Sequence, residues 1–95
     1  MRHSGLAEQL SETAMPRETK GAATGPRWET IVGDNVRRLR KHKGLTQAQL
    51  ASASGLDLRY LGGIERGAGN PSVDVLGRLA GALDVHPGEL LYEFV

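Results

Sequence analysis

Apolar residues recur at helical spacing along most of the chain, in stretches separated by glycines and capping residues. The first stretch runs from about Thr30 to His42 and carries Val32, Val36 and Leu39 on one side. Gly44 follows it and is well suited to end a helix. This pattern predicts a first amphipathic helix with Val32, Val36 and Leu39 facing the core.

The second stretch predicts a short helix with a signal at each end. Thr46 is followed three residues later by Gln49, the spacing of a capping box. Leu50 and Ala53 then provide an apolar stripe. Gly55 can end this helix because glycine adopts a positive φ without steric cost.

A third helix follows closely, with Asp57 as its cap and Leu61 and Ile64 as its inner residues. At about 100° per residue, the outer face carries Arg59, Gly62, Gly63 and Arg66, with Leu58 and Tyr60 on the flanks. Two short helices joined at a glycine turn, with arginines on the outer face, are typical of a DNA reader. An ordinary helical hairpin with a solvated face is the alternative.

Two further helices are predicted towards the C-terminus. Ser72 caps a fourth helix that reaches about Leu83, with inner residues Leu76, Leu79, Ala80 and Leu83. A fifth begins at Pro87 and runs to about Tyr92. The apolar residues at its end either close the core or form a dimer surface, and we expect Leu90 inside and the dimer contacts at Leu91, Tyr92 and Phe94.

Length and composition fit one small domain of 95 residues. We expect residues 1–27 to be a disordered or loosely attached tail and residues 28–95 to form the domain. The net charge is only +1, but Arg37, Arg38, Arg40, Lys41 and Lys43 cluster near the end of the first helix. The absence of cysteine and of any long apolar run favours a cytoplasmic protein with no membrane partner.

No catalytic or metal-binding pattern is present in the sequence. His3, His42 and His86 lack metal-ligand spacing, and there is no cysteine ligand. Gly62 and Gly63 lie in the middle of a predicted helix, where they cannot form a phosphate-binding loop. We therefore expect neither enzymatic activity nor a cofactor.

The order of short motifs gives the chain a family resemblance. Gly44-Leu-Thr-Gln47, Ile64-Glu-Arg-Gly67 and Asn70-Pro-Ser72 occur in sequence, followed by the apolar residues of the fourth helix. Over about residues 32–91 this resembles the lambda-repressor-like (Cro/repressor-type, XRE) helix-turn-helix family. The resemblance implies an all-α, five-helix domain that binds double-stranded DNA through a helix-turn-helix at residues 47–66.

The resemblance also implies roles for individual residues. Base reading falls to Arg59, then to Leu58 and Tyr60, because the early part of the third helix enters the major groove. DNA-backbone contacts fall to Gln47, which the family also uses at base edges, and to Arg66, Asn70 and Ser72. Gly62 and Gly63 depart from the longer polar side chains common there, so DNA shape and close backbone approach are expected to contribute. Arg40 and Glu65 are expected to form a partly buried ion pair.

Two functions remain open at this level. The first is a bacterial transcriptional regulator at the nucleoid, a homodimeric repressor that reads an inverted repeat. The second is an antitoxin or adaptor module whose main partner is another protein, with the N-terminal tail as a possible partner-binding segment. Salt-dependent binding of a specific duplex distinguishes the first, and tight co-purification with a second protein distinguishes the other.

Overall fold

The computed structural model describes residues 27–93. In this range the chain forms four α-helices: α1 (Trp28–His42), α2 (Gln47–Ser54), α3 (Leu58–Glu65) and α4 (Val73–Leu83). A 3-10 turn, η1 (Pro87–Leu90), follows α4. The all-α prediction is confirmed, but the predicted fifth helix is only this turn and ends before Tyr92. Phe94 and all of the predicted tail except Arg27 lie outside the described residues.

Helix α1 begins two residues before the predicted start at Thr30. Its N-cap, Arg27, makes no side-chain capping bond. Instead, the backbone N–H groups of Thr30 and Ile31 both donate to the Arg27 carbonyl at 3.1 Å. The start was misplaced because this first turn is closed by backbone groups alone, which leave no signature in the side-chain pattern.

Helix α2 has the predicted capping box. The Gln49 N–H donates to Thr46 Oγ1 at 3.0 Å, and the Thr46 N–H donates to Gln49 Oε1 at 2.8 Å. The predicted stripe is wrong at Ala53, which is exposed. Ala51 and Ser54 are buried instead, and the Ser54 hydroxyl donates to the Leu50 carbonyl at 2.6 Å. Bonding to its own helix lets this polar side chain enter the core.

Helices α3 and α4 begin at the predicted caps. The Asp57 carboxylate accepts hydrogen bonds from the N–H groups of Arg59 and Tyr60. The Ser72 hydroxyl accepts one from the N–H of Val75 at 3.1 Å. Gly55, between α2 and α3, has φ 69° as expected. The turn of the helix-turn-helix is therefore fixed at both ends by local chemistry.

A single hydrophobic core holds these elements together. Helix α1 packs on α3, α2 packs on α4, and η1 packs against α4 and α1. Leu39 and Leu76 pack at its edge and are only half-buried. The core consists of Val32, Val36, Leu50, Ala51, Leu61, Ile64, Leu79, Ala80, Leu83 and Leu90.

A buried amide ties the C-terminal segment to α1. Asn35 Nδ2 donates to the carbonyl of Leu90 at 3.0 Å and to that of Tyr92 at 2.8 Å. Asn35 is itself buried, so these bonds satisfy a polar group that would otherwise be costly in the core. They also fix the backbone that presents Leu91 and Tyr92.

Candidate nucleic-acid interface

The outer face of α3 and the start of α2 enclose a shallow hollow. Its lining residues are Gln47, Asp57, Leu58, Arg59, Gly62 and Arg66. We call this surface the α2–α3 hollow. It brings together five of the nine residues expected to contact DNA, and Asp57 joins them as the cap of α3.

The three expected base readers are accessible at the start of α3. Leu58 is 49% exposed and Tyr60 is 40% exposed, although both are large apolar or aromatic side chains. Arg59 is exposed as well. Large apolar side chains that stay exposed beside arginines are typical of a surface that binds a partner.

The two glycines of α3 are less open than the sequence suggested. Gly62 is buried and Gly63 is half-buried, although helical geometry places both on the outer face. The Arg66 side chain covers them. A Cβ built at Gly62 would lie 3.4 Å from Arg66 Nη1, and one at Gly63 would lie 3.8 Å from Nη2 and 3.7 Å from the Ala68 carbonyl oxygen.

Gln47, at the start of α2, has a defined side-chain contact. Its Nε2 donates to Glu65 Oε1 at 3.0 Å, and the residue is half-buried. The contact orients the amide at the helix N-terminus, where free N–H groups favour anions. The amide therefore joins the α2 end of the hollow to the last residue of α3.

The structure brings Arg40 and Glu65 together in a two-bond ion pair. Arg40 Nε donates to Glu65 Oε2 at 2.7 Å, and Nη2 donates to Oε1 at 3.0 Å. The side chains are only 11% and 3% exposed. Arg40 Nη1 also donates to the Leu45 carbonyl at 2.8 Å. One guanidinium thus connects α1, the loop before α2 and the end of α3.

This network shifts the ionisation of both partners. Burial alone would raise the pKa of the Glu65 carboxyl, but hydrogen bonds from Arg40 and Gln47 and the charges of Arg40 and Arg37 outweigh burial and lower it. The hydrogen bond to Glu65 raises the pKa of the Arg40 guanidinium, although burial acts against it. The pair is therefore ionised at neutral pH.

Two basic side chains of α1 extend the α2–α3 hollow. The sequence analysis placed both in a basic cluster but gave neither a role of its own. Arg37 and Lys41 are both exposed and line a cleft beside the α2–α3 hollow. The remaining residues of this α1 cleft are Arg40, Gln47, Glu65 and Arg66. The signal was the four-residue spacing of Arg37 and Lys41, which places them on one side of α1. Arg38 lies elsewhere on α1 and donates to Asn35 Oδ1 at 3.3 Å.

The remaining predicted residues lie away from the hollow. Asn70 and Ser72 are exposed in and after the loop that leads to α4, and the Ser72 hydroxyl caps that helix. Leu91 is 42% exposed and Tyr92 is 60% exposed near the C-terminus, and Tyr92 lines a separate cleft with Arg37 and Lys41. Between residues 27 and 93, no group of histidines and carboxylates could hold a metal ion. No helix in the same range is long and apolar enough to cross a membrane.

Comparison with known proteins agrees with this geometry. The model of a helix-turn-helix family matches residues 36–90, which is more than half of the chain. The chain belongs to the helix-turn-helix family. The lambda-repressor-like resemblance of the sequence is thereby confirmed. The chain is 48% identical over 61 residues to the uncharacterized HTH-type transcriptional regulator y4dJ of Sinorhizobium fredii, a match that covers 64% of this chain and 79% of that protein.

Two solved structures are also similar. One is the restriction-modification controller protein C.AhdI from Aeromonas hydrophila, with a TM-score of 0.64 and 48% identity. The match covers 65% of this chain and 94% of the C.AhdI chain. The other is SinR, a master regulator for biofilm formation, in complex with DNA, with a TM-score of 0.62 and 35% identity. The match covers 64% of this chain and 98% of the SinR chain in that structure.

Proposed function

We propose that this helix-turn-helix regulator represses transcription by binding an inverted repeat in double-stranded DNA as a homodimer. The observation that carries the proposal is the α2–α3 hollow, where the exposed side chains of Arg59 and Leu58 on α3 stand beside Gln47 at the start of α2. The similarity to SinR, which was solved in complex with DNA, supports DNA as the ligand. The bacterial nucleoid is the corresponding location.

Backbone contacts set the position of the domain on the duplex. Gln47 lies at the N-terminus of α2, where unpaired N–H groups favour a phosphate. Arg37 and Lys41 add two exposed positive charges beside it, in the α1 cleft. Asn70 and Ser72 approach the next phosphates from the loop before α4. Such contacts supply affinity and register but little sequence information.

Sequence discrimination comes from the first turn of α3. Arg59 can donate two hydrogen bonds to the O6 and N7 atoms of guanine, and Leu58 can cover a thymine methyl group. Within residues 27–93 Arg59 has no ion-pair partner that would compete for its guanidinium. Tyr60, on the flank of the helix, contacts the edge of the same site.

Two domains are needed for a specific site. The exposed side chains of Leu91 and Tyr92, together with Phe94, supply the apolar area for a symmetric contact. Dimers of this kind read half-sites about 34 Å apart, which is one turn of DNA. The dimer places two copies of α3 in successive major grooves on one side of the duplex.

The test is equilibrium binding to a selected duplex and to a scrambled one across a range of salt concentrations. Because each phosphate contact releases counterions, Arg37→Ala and Lys41→Ala should each reduce the magnitude of the salt slope by about one for both duplexes. Arg78→Ala is the charge-matched control, since Arg78 lies on α4, where it pairs with Asp74 and donates one exposed hydrogen bond, 3.4 Å long, to the Gly55 carbonyl. No preference for the selected duplex at any salt would overturn the proposal. Tight co-purification with a second protein, without DNA binding, would favour the adaptor function instead.

A further inference from the structure

Two consecutive glycines in an eight-residue helix require an explanation. Gly62 and Gly63 occupy the middle of α3, where glycine weakens a helix relative to alanine. Neither glycine has a positive φ, so neither is required by backbone conformation. Their missing side chains leave space on the outer face of α3. The Arg66 side chain borders that space, in van der Waals contact with the positions of a Cβ at Gly62 and at Gly63.

Arg66 reaches this position from the end of the helix. Its N–H donates to the carbonyls of Gly62 and Gly63 at 3.1 Å, so its backbone continues the last turn of α3. Its guanidinium lies back over the same two residues, with Nη1 3.4 Å from the position of a Cβ at Gly62. Within residues 27–93 this guanidinium has no ion-pair partner, because the Glu65 carboxylate is held by Arg40 and Gln47. The donors of Arg66 thus remain available on the face that carries Arg59.

We propose that Arg66 reads a base in the major groove, with its guanidinium in the place that a side chain longer than a methyl group at position 62 would otherwise take. Base reading by Arg66 deepens the proposed function and rests on it. It replaces the phosphate contact that the sequence predicted for this residue. The glycine pair is then a specificity device, because it lets a side chain from the end of α3 act in the middle of the reading face.

The geometry also relates Arg66 to the first reader. Arg59 and Gly62 are separated by roughly 4.5 Å along the helix axis. Successive base pairs are about 3.4 Å apart. Both arginines line the α2–α3 hollow. Because the spacing of the two helix positions is close to one base-pair step, we expect the two arginines to address neighbouring base pairs. Since arginine pairs best with guanine, each half-site should contain two guanines at nearby positions, one for each arginine.

The first experiment selects bound duplexes from a randomised pool at one fixed salt concentration. Arg66→Ala should lose the preference for guanine at one position of each half-site, by roughly 5- to 150-fold, and should keep the preference that depends on Arg59. Its affinity for random duplex should fall much less. Arg78→Ala, which removes the same charge from α4, should select the wild-type motif. An unchanged motif with uniformly weaker binding for Arg66→Ala would make Arg66 a phosphate contact and overturn the proposal.

A second pair of variants tests the role of the glycine. A Cβ at Gly62 would make ordinary van der Waals contact with Arg66 Nη1 at 3.4 Å, so only a side chain longer than a methyl group would displace the guanidinium. In Gly62→Ala, the motif should therefore not change. In Gly62→Leu, the larger side chain fills the space, and the same guanine preference should be lost as in Arg66→Ala. The double variant should lose nothing further at that position. If Gly62→Leu folds and retains that preference, Arg66 does not read from this place.

Failure of DNA recognition and failure of base reading by Arg66 give different results. If the wild-type protein enriches no motif, the proposed function is wrong, and this inference falls with it. If the wild type enriches a motif that Arg66→Ala shares in full, only the role of Arg66 is wrong.

Discussion

At the scale of single residues, the Arg40–Glu65 pair holds the reading helix in place. Its two short hydrogen bonds join α1 to the last residue of α3, and the third bond from Arg40 reaches the Leu45 carbonyl. A buried pair gives little net stability over well-packed apolar residues, but the loss of one partner leaves a buried charge unpaired. The pair therefore acts mainly on orientation, and its removal should be costly.

Arg40→Ala should lower the free energy of unfolding by roughly 3–5 kcal/mol, because Glu65 is then buried without its partner. Chemical denaturation in the absence of DNA measures this directly. Arg78→Ala is a matched control, since it breaks an ion pair with Asp74 whose side chains are 50% and 75% exposed. An exposed pair contributes about 0–1 kcal/mol. Equal unfolding midpoints for the two variants would show that the buried pair does not stabilise the domain.

The same carboxylate should make stability depend on acid pH. Because the folded-state pKa of Glu65 is lowered, its contribution is complete above the ordinary glutamate pKa of about 4.3 and is lost as the pH falls through the lowered value. Glu65→Gln should be less stable at neutral pH and should decline less steeply in acid. The free energy of unfolding measured from neutral pH down to about pH 2 tests this. If the free energy of unfolding falls in parallel with pH for the variant and the wild type, the loss of stability in acid comes from other groups.

At the scale of elements, the crossing of α1 over the end of α3 depends on one small residue. A Cβ at Gly33 would collide with the Ile64 carbonyl oxygen and would lie 3.1 Å from that of Glu65. Only glycine lets the two backbones approach this closely. The crossing brings Arg40 to Glu65 and sets the direction of α3, so a packing detail far from the outer face positions the site.

Gly33→Ala should therefore destabilise the domain by about 1–3 kcal/mol through overpacking. Gly77→Ala is the control, because Gly77 is an exposed helix residue with nothing near its Cβ position. That variant should gain about 0.5–1 kcal/mol from helix propensity. Thermal or chemical unfolding of the two variants gives the comparison. A Gly33→Ala protein as stable as Gly77→Ala would mean that the crossing can relax without cost.

The elements also show which features sequence can predict. The caps at Thr46, Asp57 and Ser72 were predicted because each signal and its partner lie within four residues. The short length of η1 and its hydrogen bonds to α1 were not predicted. The Asn35 side chain bonds to the Leu90 and Tyr92 carbonyls, which lie more than fifty positions away in the sequence. Helix α2 was misread at Ala53 because its several alanines make both faces look apolar.

The same distinction applies to the site. Its residue list came from the family resemblance and from the outer face of α3, and the structure brings five of the nine together in one hollow. The contacts within that surface could not be foreseen. The Arg66 guanidinium covers the glycines, and the Gln47 amide bonds to Glu65. Both depend on side-chain conformations in three dimensions, which residue spacing does not determine.

At the scale of the complete protein, binding to an inverted repeat requires two copies. Sedimentation at micromolar concentration should show a homodimer. Leu91→Asp should make it a folded monomer whose unfolding midpoint no longer depends on protein concentration, because Leu91 is 42% exposed and lies outside the core. Val73→Asp is the control and should remain a dimer. It adds the same charge at the start of α4, where Val73 is 84% exposed. A wild-type protein that stays monomeric on DNA would contradict the dimer.

The claim on which the rest depends is that α3 reads bases through Arg59. The most direct test is a selection of bound sequences with wild-type protein and Arg59→Ala at one fixed salt concentration. If Arg59 reads a guanine, the variant should lose discrimination at one base position of each half-site by about 1–3 kcal/mol, while binding to random duplex falls much less. An identical motif in both selections would contradict the account.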